Sequence, residues 1–230
     1  MRRILLFLKR LIGRVSGTFP KKDSEAPAPK PRKKQCLIIA GPNGSGKSTC
    51  ADAIVPTEMK IAEFVNADKI AAGLSPYNPE AVRFTAGKLL VNRIDQLITA
   101  HQNFALETTL APRGLVHLIK RMQKEGYVVT LSFLWLSSQK LAKERVKTRV
   151  EAGGHHIPHR EIYRRYKRGL DNLFKIYLPF VNYCAIYNAS GFPPEIVARY
   201  TDGALVEMLD ASLFNAIKGS LDDKGPKEVI

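Results

Sequence analysis

Cysteine is scarce: Cys36, Cys50 and Cys184 are the only three in 230 residues. An odd number without metal-type spacing argues against a disulfide framework and a zinc ribbon. It suits small buried hydrophobes in a reducing compartment, hence a cytoplasmic protein. Long apolar runs are missing as well. The leader "MRRILLFLKRLIGRVSG" offers only "ILLFL", too short for the hydrophobic region of a signal peptide and far short of the roughly 20 residues that span a bilayer. Acids are the third shortage, with 21 Asp and Glu against 36 Lys and Arg and a net charge of +15. That excess is local: residues 1–35 carry +9 and residues 36–230 carry +6. The body of the chain is thus only mildly basic, and no specific nucleic-acid partner is expected. With 45% hydrophobic and 25% charged residues, the chain is ordinary for one globular domain with a real core.

The leader itself carries no acid, and on a helix Ile4, Leu8, Leu11 and Val15 share a face opposite most of the Arg and Lys side chains. Such a segment fits a peripheral membrane contact through residues 1–15. A basic tail, a helix packed on the domain and an organelle-targeting leader fit the same composition. The following "FPKKDSEAPAPKPRKKQ" has four prolines among charges and reads as an extended linker that cannot bury apolar area. The chain therefore divides into a leader and linker over residues 1–34, a domain over 35–218 and a tail over 219–230.

The domain opens on "CLIIA", an apolar run of strand length, and continues directly into "GPNGSGKST" from Gly41 to Thr49. This is the strand–loop–helix phosphate-binding motif in full. Gly41, Gly44 and Gly46 let backbone N–H groups approach phosphate oxygens, with Pro42, Asn43 and Ser45 completing the loop. A helix starting near Lys47 adds a positive dipole end at the same place. Lys47 reaches the β- and γ-phosphates of ATP, the Ser48 hydroxyl serves Mg²⁺, and Thr49 follows on the helix.

Another absence narrows the class. Motor, transporter and switch ATPases carry a second apolar strand ending in Asp, which holds Mg²⁺ and orients water. Here "YVVTLSFLWLSS" ends in serines and "YCAIYNAS" passes through Asn188. Acids instead end two earlier strands: "EFVNADK" delivers Asp68 and "NFALETT" delivers Glu107, with Thr108 beside it. Residues just past parallel strand ends gather around the ligand crevice. A kinase needs one carboxylate there as a base for the acceptor hydroxyl and a second to fix the acceptor or the metal. The competing reading makes Asp68 the N-cap of the helix that follows.

"YNPEAVRFTAGKLLVNRIDQLITAHQN" predicts a long crossover helix capped by Asn78 with Pro79 in the first turn. A further helix follows Glu107, with Arg113 at its start beside the crevice. From Leu141, an arginine-rich pair of helices broken at Gly153, Gly154 and Pro158 predicts a lid over about 141–170. Arg145, Arg149, Arg164, Arg165 and Arg168 are its candidate phosphate contacts, although a site uses only two or three. "GGHHIPH" clusters three histidines, but a glycine-bounded loop is a poor metal cage.

The motifs "LIIAGPNGSGKST", "NADKIAAGLSP", "FALETTLA" and "RVEAGGHHIPHREIYRRYKRGLDNL", in this order and spacing, resemble the zeta toxin family of phosphate-loop kinases over roughly residues 36–190. The resemblance implies a fold like that of nucleoside monophosphate kinases. It also implies phosphorylation of UDP-activated amino sugars, notably UDP-N-acetylglucosamine, at the sugar 3′-hydroxyl, and a small antitoxin partner that blocks the nucleotide site. By position it makes Asp68 the acceptor base, Glu107 a substrate-side acid, and Arg149 with Arg164 or Arg165 the lid pair on the γ-phosphate.

The expectation is an α/β three-layer phosphate-loop fold with a parallel sheet of about five strands, a helical lid, and a short β-rich tail around "EIVARYTDGALVEM". The function expected is an ATP- and Mg²⁺-dependent kinase. Catalysis is assigned to Lys47, Asp68, Arg149 and Arg165, and acceptor contacts to Glu107, Thr108 and Arg113. The alternatives are a nucleoside or polynucleotide-end kinase, and a nucleotide-gated basic module that binds nucleic acid or membrane surfaces.

Overall fold

The computed structural model describes residues 34–56, 61–154 and 156–221; the amphipathic and membrane readings of the leader fall outside them. Lys34 is tied to the folded body. Its ammonium donates to the Glu125 carbonyl at 2.7 Å and pairs with His101 Nδ1 at 2.8 Å.

Five strands run parallel: β1 (Gln35–Ala40), β2 (Glu63–Asn66), β3 (Phe104–Thr108), β4 (Val128–Trp135) and β5 (Tyr183–Asn188). β1 lies in the middle because it is apolar at every position from Cys36 to Ala40, which only a strand covered on both faces tolerates. Cys36, Ile38 and Ala40 pack to one side with Phe104, Leu106, Leu131 and Phe133, while Leu37 and Ile39 pack to the other with Ala105 and Leu134. This alternation has the period of two that a pleated strand imposes.

Helices cover both faces. On the first are α3 (Arg83–Thr99), α4 (Leu115–Lys124) and α7 (Ala211–Gly219); on the second are α1 (Lys47–Ile54), α5 (Gln139–Glu151) and most of α6 (His159–Asn172). The remaining helix, α2 (Ala67–Leu74), follows β2 without a loop. The fold is thus the expected three-layer α/β phosphate-loop architecture.

The β-rich tail does more than expected. β6 (Glu195–Thr201) pairs antiparallel with β5, and β7 (Ala204–Met208) with β6, so the sheet has seven strands in the order β2-β3-β1-β4-β5-β6-β7. The crossover helix also departs from expectation at its start. Pro79–Val82 forms a 3-10 turn before α3, and the Asn78 side chain makes no capping bond. No helix among the described residues is long and apolar enough to cross a membrane.

Register positions the site. Asn66 of β2 and Ile39 of β1 both align with Glu107 of β3, and Ala40 aligns with Thr108. Three neighbouring strands therefore end level, and the phosphate loop leaves β1 at that row. β1 lies between β3 and β4, where the chain turns to opposite sides of the sheet, so a crevice opens there.

Candidate active site

The phosphate loop is built by glycine geometry. Gly41, Gly44 and Gly46 have φ of 143°, 82° and 84°, values that L-residues with side chains rarely adopt. Gly41 also has no room: an added Cβ would lie 2.3 Å from the Leu134 carbonyl oxygen. At Gly46 the added atom would meet nothing within 4 Å, so that face of the loop is an open cradle. Inside it Asn43 and Ser45 are buried, and Asn43 Oδ1 and Ser45 Oγ lack hydrogen-bond partners. Buried polar atoms without partners are costly, and a phosphate-bearing ligand in the cradle would offer the Ser45 hydroxyl an acceptor.

Lys47 is buried, donates to the Pro42 carbonyl at 2.8 Å, and lies 3.8 Å from Glu107 Oε1. Burial holds its pKa below the usual lysine value, with Glu107 and Asp68 opposing that shift and Arg149 and Arg165 adding to it. An ammonium with few partners in a desolvated place is suited to a strongly anionic ligand.

Glu107 sits closer to the phosphate loop than an acceptor-side acid would. Its Oε2 accepts from Ser48 Oγ at 2.8 Å and from Asn66 Nδ2 at 2.7 Å. Ser48 and Glu107 thus present hard oxygen donors side by side at the mouth of the loop, a pair that fits Mg²⁺.

Asp68 is exposed in the first turn of α2 and lines the crevice. It is not the cap. Asn66 caps α2, its Oδ1 accepting from Asp68 N at 2.7 Å and Lys69 N at 3.1 Å. The Asp68 carboxylate is accordingly not committed to the helix end.

The crevice has a volume of about 1140 Å³, ample for a nucleotide-sized acceptor. Phe84, Leu90 and Val91 of α3 and Leu115 and Leu118 of α4 form an apolar side, while Arg113, Arg164, Arg165 and Arg168 bring positive charge. Thr108 lines it too, with its hydroxyl accepting from Leu110 N at 3.1 Å. Arg113 is exposed at the entrance.

The lid forms as two helices, but its arginines divide into different jobs. Arg165 lines the crevice with its side chain 19% exposed, and with Arg149 it acts on Lys47. Arg149 lies on the last turn of α5, outside the crevice lining. Arg164 is held by Glu161, through Nε at 3.0 Å and Nη2 at 2.6 Å. Arg145 is removed from the list of phosphate contacts: it donates to the Ala189 and Ser190 carbonyls at 2.7 and 2.6 Å, riveting α5 to the loop after β5. Among the described residues no group of histidine, cysteine or acid could hold a metal on its own; His155 is not among them.

Glu161 anchors this arginine cluster. The Arg164 hydrogen bond lowers its pKa, against desolvation and with help from Arg164, Arg165 and Arg83 charges. A carboxylate lowered by folding contributes stability above its unfolded pKa of about 4.3, and the contribution is lost as pH falls through the lower folded value. The expected consequence is small, because the pair is partly exposed: Glu161→Gln should cost about 0.2–1 kcal/mol at neutral pH. The urea midpoints of variant and wild type should converge in acid.

Sequence reasoning missed three supports. Asn66 escaped because Asp68 offered an equally good cap two residues on. Asn172, buried in α6, donates to the Leu110 and Ala111 carbonyls at 2.8 and 3.0 Å, and so holds the loop between Thr108 and Arg113. Gly169 lets α6 touch that loop, since an added Cβ would lie 2.3 Å from the Thr109 carbonyl oxygen. Both partners lie some 60 residues away, so only the glycine in mid-helix was a signal.

Comparison with known proteins agrees with this fold. An uncharacterized protein of Haemophilus influenzae (strain ATCC 51907 / DSM 11121 / KW20 / Rd) is 27% identical over 132 residues, covering 57% of this chain and 92% of that protein. The fold matches a crystal structure of AvrRxo1-ORF1:-ORF2 with ATP, at TM-score 0.64 and 14% identity, over 80% of this chain but only 63% of that one. It also matches the PezAT chromosomal toxin–antitoxin system of Streptococcus pneumoniae, at TM-score 0.55 and 15% identity, over 96% of this chain and 95% of that one. The family model for zeta toxin matches residues 21–189. That stretch holds the phosphate loop, both strand-end acids and the lid, and it is well over half of the chain; the protein belongs to the zeta toxin family and is a phosphate-loop phosphotransferase.

Proposed function

We propose that the protein transfers the γ-phosphoryl group of ATP to a hydroxyl of a UDP-activated amino sugar such as UDP-N-acetylglucosamine. The observation that carries this reading is the division of the crevice. Lys47, Ser48 and the open cradle form a donor end, while Asp68, with no role in capping, faces a large cavity with apolar and arginine walls.

Asp68 takes the proton of the acceptor hydroxyl as that oxygen bonds to the γ-phosphorus, and the bond to the bridging oxygen breaks to release ADP. Lys47 neutralises charge on the transferring group, and Arg165, with Arg149 from the other lid helix, meets it from above. Ser48 and Glu107 are the residues that would hold Mg²⁺. When bound, the ion neutralises the phosphate oxygens. Arg113, Arg164 and Arg168 face the rest of the acceptor, and their charge suits a substrate that carries its own phosphates. The apolar side formed by α3 and α4 suits a base or an acyl group.

An antitoxin that covers the nucleotide end is the partner this reading implies. Its support is the family and the fold shared with a toxin–antitoxin system.

The test is an acceptor panel. Wild-type protein is incubated with ATP, Mg²⁺ and separate UDP-sugars, nucleosides and 5′-hydroxyl oligonucleotides, and each product is weighed. The expected result is one added phosphoryl group on a UDP-amino sugar. Phosphorylation confined to nucleosides or polynucleotide ends would move the acceptor class, and ATP hydrolysis with no product would contradict a kinase.

A further inference from the structure

Asn66 stands where β2 ends and α2 begins, 5% exposed, level with Glu107 in the sheet. Its amide is used at both ends. Oδ1 accepts from Asp68 N at 2.7 Å and Lys69 N at 3.1 Å, while Nδ2 donates to Glu107 Oε2 at 2.7 Å. The chemistry fixes which end is which, because the backbone groups only donate and the carboxylate only accepts. Glu107 Oε2 accepts from Ser48 Oγ as well, at 2.8 Å.

Capping alone does not explain asparagine at this position. Aspartate and serine cap helices about as well. Aspartate would set a second carboxylate against Glu107, and the shorter serine would leave Glu107 without this donor. Only the amide holds the backbone of Asp68 and the carboxylate of Glu107 at once.

We infer that Asn66 is a positioning residue that locks the candidate base Asp68 and the Ser48–Glu107 pair into one geometry, so that the acceptor end and the metal end of the site are set together. This inference rests on the kinase reading for its catalytic consequence. It also makes a claim about Mg²⁺-dependent ATP binding that does not depend on any acceptor.

Two variants separate positioning from capping. Asn66→Ser keeps an oxygen for the helix end and loses the donor to Glu107. It should melt within about 2–4 °C of wild type, the shift expected from a change no larger than one cap. Phosphoryl transfer to UDP-N-acetylglucosamine should nonetheless fall about 10–100-fold, as when a partner of a metal ligand is lost, with more Mg²⁺ needed for half-maximal rate. Asn66→Asp also keeps the cap but puts an acceptor where Glu107 needs a donor, so it too should transfer the phosphoryl group about 10–100-fold more slowly.

ATP binding is titrated calorimetrically at several Mg²⁺ concentrations in parallel. Wild-type turnover and Mg²⁺ requirement in both variants would overturn the inference and leave Asn66 a helix cap. If wild type phosphorylates nothing in the panel, the kinase reading falls by itself. In that event, weakened Mg²⁺-dependent ATP binding in Asn66→Ser supports the Asn66–Glu107 link, and unchanged binding overturns it.

Discussion

Asp68→Asn should lower the rate of phosphoryl transfer by about 10²–10⁴-fold, the range that a positioned general base contributes. The substitution is nearly isosteric and removes a charge from an exposed side chain that holds no helix end. Folding and melting temperature should therefore stay near wild type. ATP affinity should change far less than turnover, because the proposed function places the donor on Lys47 and the glycine loop, at the other end of the crevice. Rapid-quench measurement of the chemical step beside an ATP titration checks both halves. Equal losses in binding and turnover would move Asp68 from the acceptor to the nucleotide, and full activity would leave it without a chemical role.

Arg165→Ala should act on the same step from the lid, by about 10³–10⁵-fold, the value of an arginine placed on a transferring phosphoryl group. Arg165 lines the crevice and adds to the field on Lys47, as Arg149 does; Arg164 is not among the charges acting on Lys47, and Glu161, which meets Arg165 only at Nε and 3.2 Å, holds Arg164 at two nitrogens. Arg164→Ala is accordingly expected to raise KM for an anionic acceptor more than it lowers kcat. Measuring kcat and KM for both variants in one acceptor titration distinguishes them. The reverse pattern would exchange the two assignments. Arg145→Ala should behave differently again, because its guanidinium is bound to two backbone carbonyls. Its loss is felt in the seating of α5.

The donor half of this site is legible in the sequence because it is contiguous. The nine residues from Gly41 to Thr49 carry their own geometry, and the apolar run before them places the loop at a strand end. Glu107 near the end of β3 and Asp68 two residues past the end of β2 are legible for a related reason, since parallel strands point their ends at one crevice. What resists reading is non-local. Arg145 and Arg149 look alike on one helix, and only the carbonyls of Ala189 and Ser190, more than forty residues on, make the first structural. Asn66 and Asp68 are both good caps. The choice between them turns on β2 running straight into α2 with no loop. β6 and β7 show as strands in their own residues, but nothing local says that they extend the parallel sheet.

The central claim is that the loop, the strand-end acids and the lid act together to move a phosphoryl group onto a hydroxyl. Its most direct test is the mass of UDP-N-acetylglucosamine after incubation with ATP and Mg²⁺, using wild type and Asp68→Asn side by side. The account predicts a gain of one phosphoryl group with wild type and almost none with the variant. An unchanged sugar nucleotide in both reactions, with ATP hydrolysed at equal rates, would contradict it.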